Sequence, residues 1–314
     1  MTTQTLPRAT HTTVVRVGLV GLGEVGTILG RALSAQGVPW VGGWDLKLAD
    51  GHPQAHAVRA RARDAGVQVC RGMPDLCAQA DMVVSAVTAA NTVDVAQEAA
   101  RHLRPGTWFF DLNSASPGSK QQAAGAIEAA GGRYVEAGVM TSVPPYGIRV
   151  PMLIGGPHAA ALLPVLQSWG MQVQIASARI GVASATKMCR SVMIKGLEAL
   201  VIESFTAARH YGVEEAMIAT LQETFPGIDW AAQAAYFYQR VAQHGQRRAE
   251  EMREVARTVA EAGLEPQMAR ATADKDDWMA AQGRAGAFGG VADPARWQQW
   301  ADALLAARPS ASNG

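Results

Sequence analysis

The chain has 314 residues, enough for two domains with substantial cores. Close to half of them are apolar (48%) and the formal net charge is only +1, which argues for a soluble globular protein and against nucleic acid or an acidic polymer as partner. No apolar run reaches the roughly 18 residues of a membrane span. Cys70, Cys77 and Cys189 are an odd set without metal-ligand spacing, so a reducing, cytoplasmic setting and no metal are expected. The polar opening, residues 1–13, lacks a secretory apolar region and reads as a disordered leader.

Residues 15–20 (VRVGLV) read as a strand, followed at once by Gly21, Gly23 and Gly26 in GLGEVG and then by Ile28, Leu29 and Leu33 at helical spacing. This is G-x-G-x-x-G between a strand and a helix start. The first glycine permits the turn, the second lets a pyrophosphate approach the backbone, and the third lets the helix pack on the strand. An anion there is favoured by the N–H groups and dipole of the helix N-terminus. We expect Gly21, Gly23, Glu24, Val25 and Gly26 to bind a dinucleotide. A second strand, 39–44 (PWVGGW), ends at Asp45, about 20 residues past the loop, where a carboxylate accepts from a ribose 2′-OH. The same carboxylate repels a 2′-phosphate, which favours NAD, although Lys47 nearby leaves NADP possible; the alternative for Asp45 is a solvated strand-end acid.

Strand and helix then alternate. Residues 67–70 form a short strand and 82–87 (MVVSAV) a clear one, with Val87 and Thr88 placed at its cofactor-facing end. A helix runs to about Leu103, and a strand at 107–110 ends in Asp111-Leu112-Asn113-Ser114-Ala115-Ser116-Pro117. Such alternation predicts a parallel doubly wound sheet, an α/β Rossmann-type domain over 14–178 with ligands beyond the strand C-termini. Asn113, Ser114 and Ser116 are suited to hold a polar substrate there, and Ser114 or Ser116 is equally suited to cap the helix that Pro117 opens. Strands at 134–139, 151–154 and 171–175, and a helix over 158–168, complete this half. The loop Met140-Thr141-Ser142 follows the first of these strands.

Residues 180–212 read as one long helix, apolar nearly all round in its middle (Val192, Met193, Ile194, Leu197, Leu200, Val201, Ile202) and stopped by Gly212. Such a helix is expected to be buried. At about 1.5 Å per residue it spans on the order of 50 Å, so it either divides two domains or packs into a partner, and a homodimer is expected. Lys187 lies in its first two turns, either as an acid/base poised at a cleft or as a helix lysine reaching solvent. Burial, or Arg190 three residues on, would favour the neutral amine. Lys195 is either a second polar group of that cleft or a dimer contact. An all-α domain, 179–308, follows, with breaks expected at 225–227, near His244-Gly245, at 263–266 and over 283–290. Its aromatic run Trp230, Tyr236, Phe237 and Tyr238 reads as core or interface. Arg247, Arg248, Glu250, Glu251, Arg253 and Glu254 suit an exposed helix face, although His244 and Arg247 could reach a cleft and bind an anion. Residues 309–314 read as a loose tail.

The order of GLGEVG, Asp111-Leu112-Asn113-Ser114, a strand and loop near Val139, and a lysine in a long helix resembles the β-hydroxyacid dehydrogenases, relatives of 6-phosphogluconate and 3-hydroxyisobutyrate dehydrogenase. VMTSVPPYG (139–147) and the stretch 244–252 resemble a branch with a phosphogluconate-dehydrogenase-like C-terminal domain. The resemblance implies an NAD(P)-dependent enzyme with Lys187 as general acid/base. Ser191 stands where the family usually has asparagine, and Met140, Thr141 and Ser142 stand where it has a Ser-Gly-Gly substrate loop. Lys275 and Asp276 match the family's C-terminal Lys-Asp pair or belong to a solvated charge run. The expected reaction is hydride transfer between nicotinamide and a small hydroxy acid or related alcohol or carbonyl compound. Oxidative decarboxylation of a 3-hydroxy acid, imine reduction and a non-catalytic nucleotide-binding role are the alternatives.

Overall fold

The computed structural model describes residues 14–307; the expected leader and tail lie outside the described residues. Eight strands, β1 (Arg16–Val20), β2 (Trp40–Trp44), β3 (Gln68–Val69), β4 (Met82–Ser85), β5 (Trp108–Asp111), β6 (Arg133–Val139), β7 (Met152–Gly155) and β8 (Val173–Ser177), form one sheet in the order β3-β2-β1-β4-β5-β6-β7-β8. All neighbours are parallel except β6 and β7. The helices between them are α1 (Glu24–Ala35), α2 (Ala55–Asp64), α3 (Met73–Gln79), α4 (Thr92–Ala100), α5 (Pro117–Ala129) and α6 (Ala159–Ser168).

The strands are apolar on both faces because both faces are covered. Val17, Leu19, Met82, Val84, Trp108, Phe110, Val135 and Ala137 point into one buried layer. The intervening Val20, Val83, Phe109 and Tyr134 point into the other. That alternation at period two, apolar on each side, is the signature of a parallel sheet wound with helices on both faces. The doubly wound Rossmann-type domain is therefore present as expected.

The long helix is α7 (Val182–Tyr211), 30 residues and about 45 Å at 1.5 Å per residue. The chain divides into two compact units, and the division falls between Lys187 and Met188, inside this helix. The second unit is helical as expected: the rest of α7 with α8 (Glu214–Thr224), α9 (Trp230–Glu261), α10 (Gln267–Arg284) and α11 (Trp297–Ala306). Its core is built on Val201, Ile202, Phe205, Trp230, Phe237, Tyr238, Val241, Trp297 and Trp300, so three of the four aromatics in the run are core, and Tyr236 is exposed.

Three expectations for this unit are corrected. First, α7 is not buried on every face: Met193 is 72% exposed, and Ile194 and Leu200 are also exposed. Its buried side chains form one stripe, and among the described residues these three side chains stay uncovered. Second, α9 runs unbroken through His244-Gly245. A Cβ on Gly245 would lie 2.6 Å from the Asp276 carbonyl oxygen, so this glycine permits close approach of α10 and does not end the helix. Third, the charged stretch of α9 is solvated only in part: Arg247 and Arg253 are exposed, but other charges of the stretch turn inward, and Asp276 is not part of a solvated run. Arg248, Glu254 and Asp276 are buried. Arg248 pairs with Glu198, and Lys195 with Glu251. Among the described residues no helix is long and apolar enough to cross a membrane.

Candidate active site

The turn from β1 to α1 is built on close approach. Gly21 has φ +91°, and a Cβ there would meet the Ala86 carbonyl oxygen at 2.4 Å. A Cβ on Gly26 would sit 1.9 Å from the Gly21 carbonyl oxygen, so α1 can begin this close to the turn only with glycine. Nothing lies within 4 Å of the Cβ position of Gly23, the N-cap of α1, and no side chain caps the helix there. The first and third glycines thus hold the turn's shape, and the second faces open space at a helix N-terminus carrying Glu24 and Val25. Those are the conditions for a pyrophosphate to reach the backbone. The residues present therefore fit a dinucleotide.

Asp45, just past β2, is tied to this turn. Its carboxylate accepts from the Leu22 N–H at 2.7 Å and from the Lys47 N–H at 2.9 Å. The acid thus stands beside the glycine loop. Each oxygen keeps a further lone pair for a hydroxyl donor.

The ends of β4 and β5 are cross-linked by one side chain. The Asn113 amide oxygen accepts from the Val87 N–H at 2.7 Å, and its Nδ2 donates to Ser85 Oγ at 3.0 Å. Asn113 is buried, and in this arrangement it fixes the loop geometry. Thr88, next after Val87, accepts from Asn91 Nδ2 at 2.7 Å and begins a short 3-10 turn. Ser116 is the N-cap of α5: its Oγ accepts from the Ser119 N–H at 3.2 Å, and it is fully buried. Ser114 meets Lys187, whose Nζ donates to Ser114 Oγ. Residues 73 positions apart are thereby brought together at the C-terminal end of the sheet.

Beneath the loop lies a charge network that sequence reasoning missed. The fully buried Asp111 accepts from Lys120 Nζ at 2.8 Å, from the Tyr134 hydroxyl at 2.6 Å and from the Asn113 N–H at 2.9 Å. Lys120 is itself fully buried and also donates to the Asp111 carbonyl oxygen at 3.0 Å. Burial, reinforced by the Asp111 charge, pushes the Tyr134 phenol well above its ordinary range, so it stays a donor. A lysine three residues into a helix that Pro117 opens is ordinary in sequence; only the sheet shows that it points inward.

The loop after β6 carries Met140, Thr141 and Ser142. Met140 N–H donates to the Pro151 carbonyl oxygen at 3.0 Å, Thr141 is exposed, and Ser142 is half-buried. Val143, Ile148 and Val150 pack into the same core as Val25 and Ile28 of α1, so the loop folds back over the cofactor helix. The two remaining predicted residues lie in the second unit. Ser191 is buried on α7, one turn beyond Lys187 along the helix, and His244 is exposed on α9. Lys195 is buried. Burial pulls its ammonium below the ordinary lysine range, against the raising effect of Glu251. No cluster of three or more His, Cys, Asp or Glu that could hold a metal occurs among the described residues.

Residues 16–177 match the family model of the NAD-binding domain of 6-phosphogluconate dehydrogenase, and residues 208–278 match a domain of unknown function, DUF1932. A conserved hypothetical protein from Sinorhizobium meliloti 1021 is 36% identical, with 94% of this chain and 97% of that chain covered and a TM-score of 0.76. A second conserved protein of unknown function, described as structurally similar to 3-hydroxyacid dehydrogenases, is 32% identical over 85% of this chain and 99% of that chain, with a TM-score of 0.66. The 3-hydroxyisobutyrate dehydrogenase of Mycobacterium tuberculosis, solved with L-serine, shares the fold at 18% identity and TM-score 0.68, covering 93% of this chain and 99% of that chain. The glycine turn, the clamped loop beyond β5 and a match over half the chain agree: this protein belongs to the family whose NAD(P)-binding domain is that of 6-phosphogluconate dehydrogenase.

Proposed function

We propose that the chain is a nicotinamide-dependent oxidoreductase acting on the CH–OH of a small hydroxy acid, or on the related alcohol or carbonyl compound, with Lys187 as the proton donor and acceptor. The observation that carries this reading is the Lys187 Nζ to Ser114 Oγ hydrogen bond at the C-terminal end of the sheet, where doubly wound folds bind ligands. The cofactor, when bound, supplies or accepts the hydride. Oxidation of an alcohol removes a proton from oxygen, and reduction of a carbonyl adds one; Lys187 Nζ takes or gives that proton. Ser114 Oγ holds the amine in place, and its remaining hydrogen-bonding capacity faces the same oxygen. Asn113 serves by clamping the loop that presents Ser114. Asp45 beside the glycine turn favours NAD, because a carboxylate there accepts from a 2′-hydroxyl and repels a 2′-phosphate. The exposed Met193, Ile194 and Leu200 on α7 are the face we assign to a second copy of the chain; light scattering of the purified protein tests that dimer.

The test of the chemistry is turnover of NAD or NADP with 3-hydroxyisobutyrate, L-serine and further 3-hydroxy acids, by wild type and Lys187→Ala. We expect NADH formation with at least one acid, and loss of about 100-fold or more in kcat for Lys187→Ala with cofactor affinity retained. Unchanged turnover in that variant would refute the mechanism. Trapping of CO2 alongside NADH would convert the reading to oxidative decarboxylation.

A further inference from the structure

We infer that Glu136 is the positioning residue for Lys187, an inference that rests on the reading of Lys187 as the proton-transfer group. Glu136 lies in the middle of β6 and is fully buried. A carboxylate in a sheet interior needs partners, and here all of them come from the start of α7. Oε1 accepts from the Gly181 N–H at 2.7 Å and the Ala183 N–H at 3.2 Å. Oε2 accepts from the Ser184 N–H at 3.3 Å and the Ser184 hydroxyl at 2.8 Å. These N–H groups are among those a helix start leaves without intrahelical partners, and a negative charge there also meets the positive end of the helix dipole.

Two glycines make the grip possible. Gly155 of β7 stands opposite Glu136 in the antiparallel register, and a Cβ there would lie 2.7 Å from Glu136 Oε1. Gly138, two residues along β6 and so on the same face, would place a Cβ 2.9 Å from the Ala183 carbonyl oxygen and 3.5 Å from Lys187 Cβ. One strand face therefore holds the first turn of α7 twice, by a carboxylate at its N–H groups and by bare backbone against its next turn. Lys187 is one turn after Ala183. Its reach to Ser114 is set by how deep and at what rotation that first turn is seated. A generic helix cap would need one or two of these bonds; four donors on one buried carboxylate leave the helix start no alternative seat.

The test uses the full chain with Glu136→Gln, Glu136→Asp and Ser184→Ala. Glutamine keeps the size but turns an N–H2 toward the Ser184 N–H, aspartate keeps the charge but withdraws it by one methylene, and Ser184→Ala removes one donor only. The first readout needs no substrate: the rate at which trace acetic anhydride acetylates Lys187, followed by peptide mass spectrometry across pH. We expect the Lys187 rate or its midpoint to change by about threefold, equivalent to roughly half a pKa unit, in Glu136→Gln, with the other lysines of the first unit unchanged. The second readout is kcat, expected to fall by about 10- to 100-fold while the dissociation constant for NADH stays within about twofold. If Glu136→Gln unfolds, Ser184→Ala is read in its place and should move both readouts in the same direction. A lowered Tm with the Lys187 profile unchanged would show that Glu136 only caps the helix and would overturn the inference. Failure of the Lys187 reading is separately visible: Lys187→Ala would then keep its turnover, while the acetylation profile would still report whether Glu136 sets the position of the amine.

Discussion

Replacing Asp276 with asparagine should stabilise this protein at pH 8. Asp276 lies on α10 with its side chain wholly inside the helical unit, and among the described residues neither carboxylate oxygen has a hydrogen-bond partner. Burial pushes its carboxyl up to about 7 from the ordinary 3.8; Arg248 and Lys195 pull it down, and Glu251 and Asp277 push it further up. The folded protein therefore keeps a proton on Asp276 between about pH 4 and pH 7 that the unfolded chain has already released. Stability falls as pH rises through that window and levels off above it. Three units at about 1.4 kcal/mol each set the loss at up to roughly 4 kcal/mol. Asparagine resembles the protonated acid and carries none of this dependence. Urea unfolding of wild type and Asp276→Asn at pH 5 and pH 8 measures it, since titrations elsewhere cancel between the two. The variant should match wild type near pH 5 to within about 2 kcal/mol and exceed it at pH 8. A variant less stable than wild type at pH 8, or parallel pH profiles, would refute the reasoning.

The glycine turn makes two opposite predictions. Gly26→Ala places a methyl 1.9 Å from a backbone oxygen and should lower Tm and abolish cofactor binding together. Gly23→Ala meets nothing within 4 Å, so Tm should hold while NADH affinity, read by fluorescence titration, falls by about tenfold or more. Equal effects on Tm would count against the assigned roles. Lys120→Met should cost about 3–5 kcal/mol, because it strands the buried Asp111 charge. Denaturant unfolding checks this, and the double change Lys120→Met with Asp111→Asn should recover part of the loss.

The nucleotide-binding half was legible in the sequence because its signals are local. A strand, a glycine turn and a helix start lie within about 20 residues, and Gly26 answers to the Gly21 carbonyl inside that span, whereas the close approach of Gly21 to Ala86 comes from just past β4. Lys187 and Ser114 could be named separately from their motifs, but their meeting across 73 residues rests on how the sheet is ordered. Asn113 and Ser116 suit a polar substrate by sequence, and Ser116 suits a helix cap as well; in the structure Asn113 clamps strand ends and Ser116 is that cap. Glu136 gave no signal, since an acid in an apolar strand reads as an exception until its four donors, more than 40 residues later, are in view.

The helical half shows the limit more sharply. Charges at 247–254 look the same on a helix whether water or another helix faces them. Arg248 turns inward where α10 approaches over Gly245 and Glu198 stands opposite, and Glu251 meets Lys195, 56 residues earlier in the chain. The sequence by itself determined the fold class, the cofactor turn, the family and the helix that bears Lys187, because periodicity and turn chemistry act between near neighbours. Only the tertiary structure decided which charges are buried, which polar side chains are spent on scaffold, and which carboxylate meets the start of α7. Those outcomes depend on partners from distant segments, and burial changes the energy of a charge far more than its neighbours along the chain do.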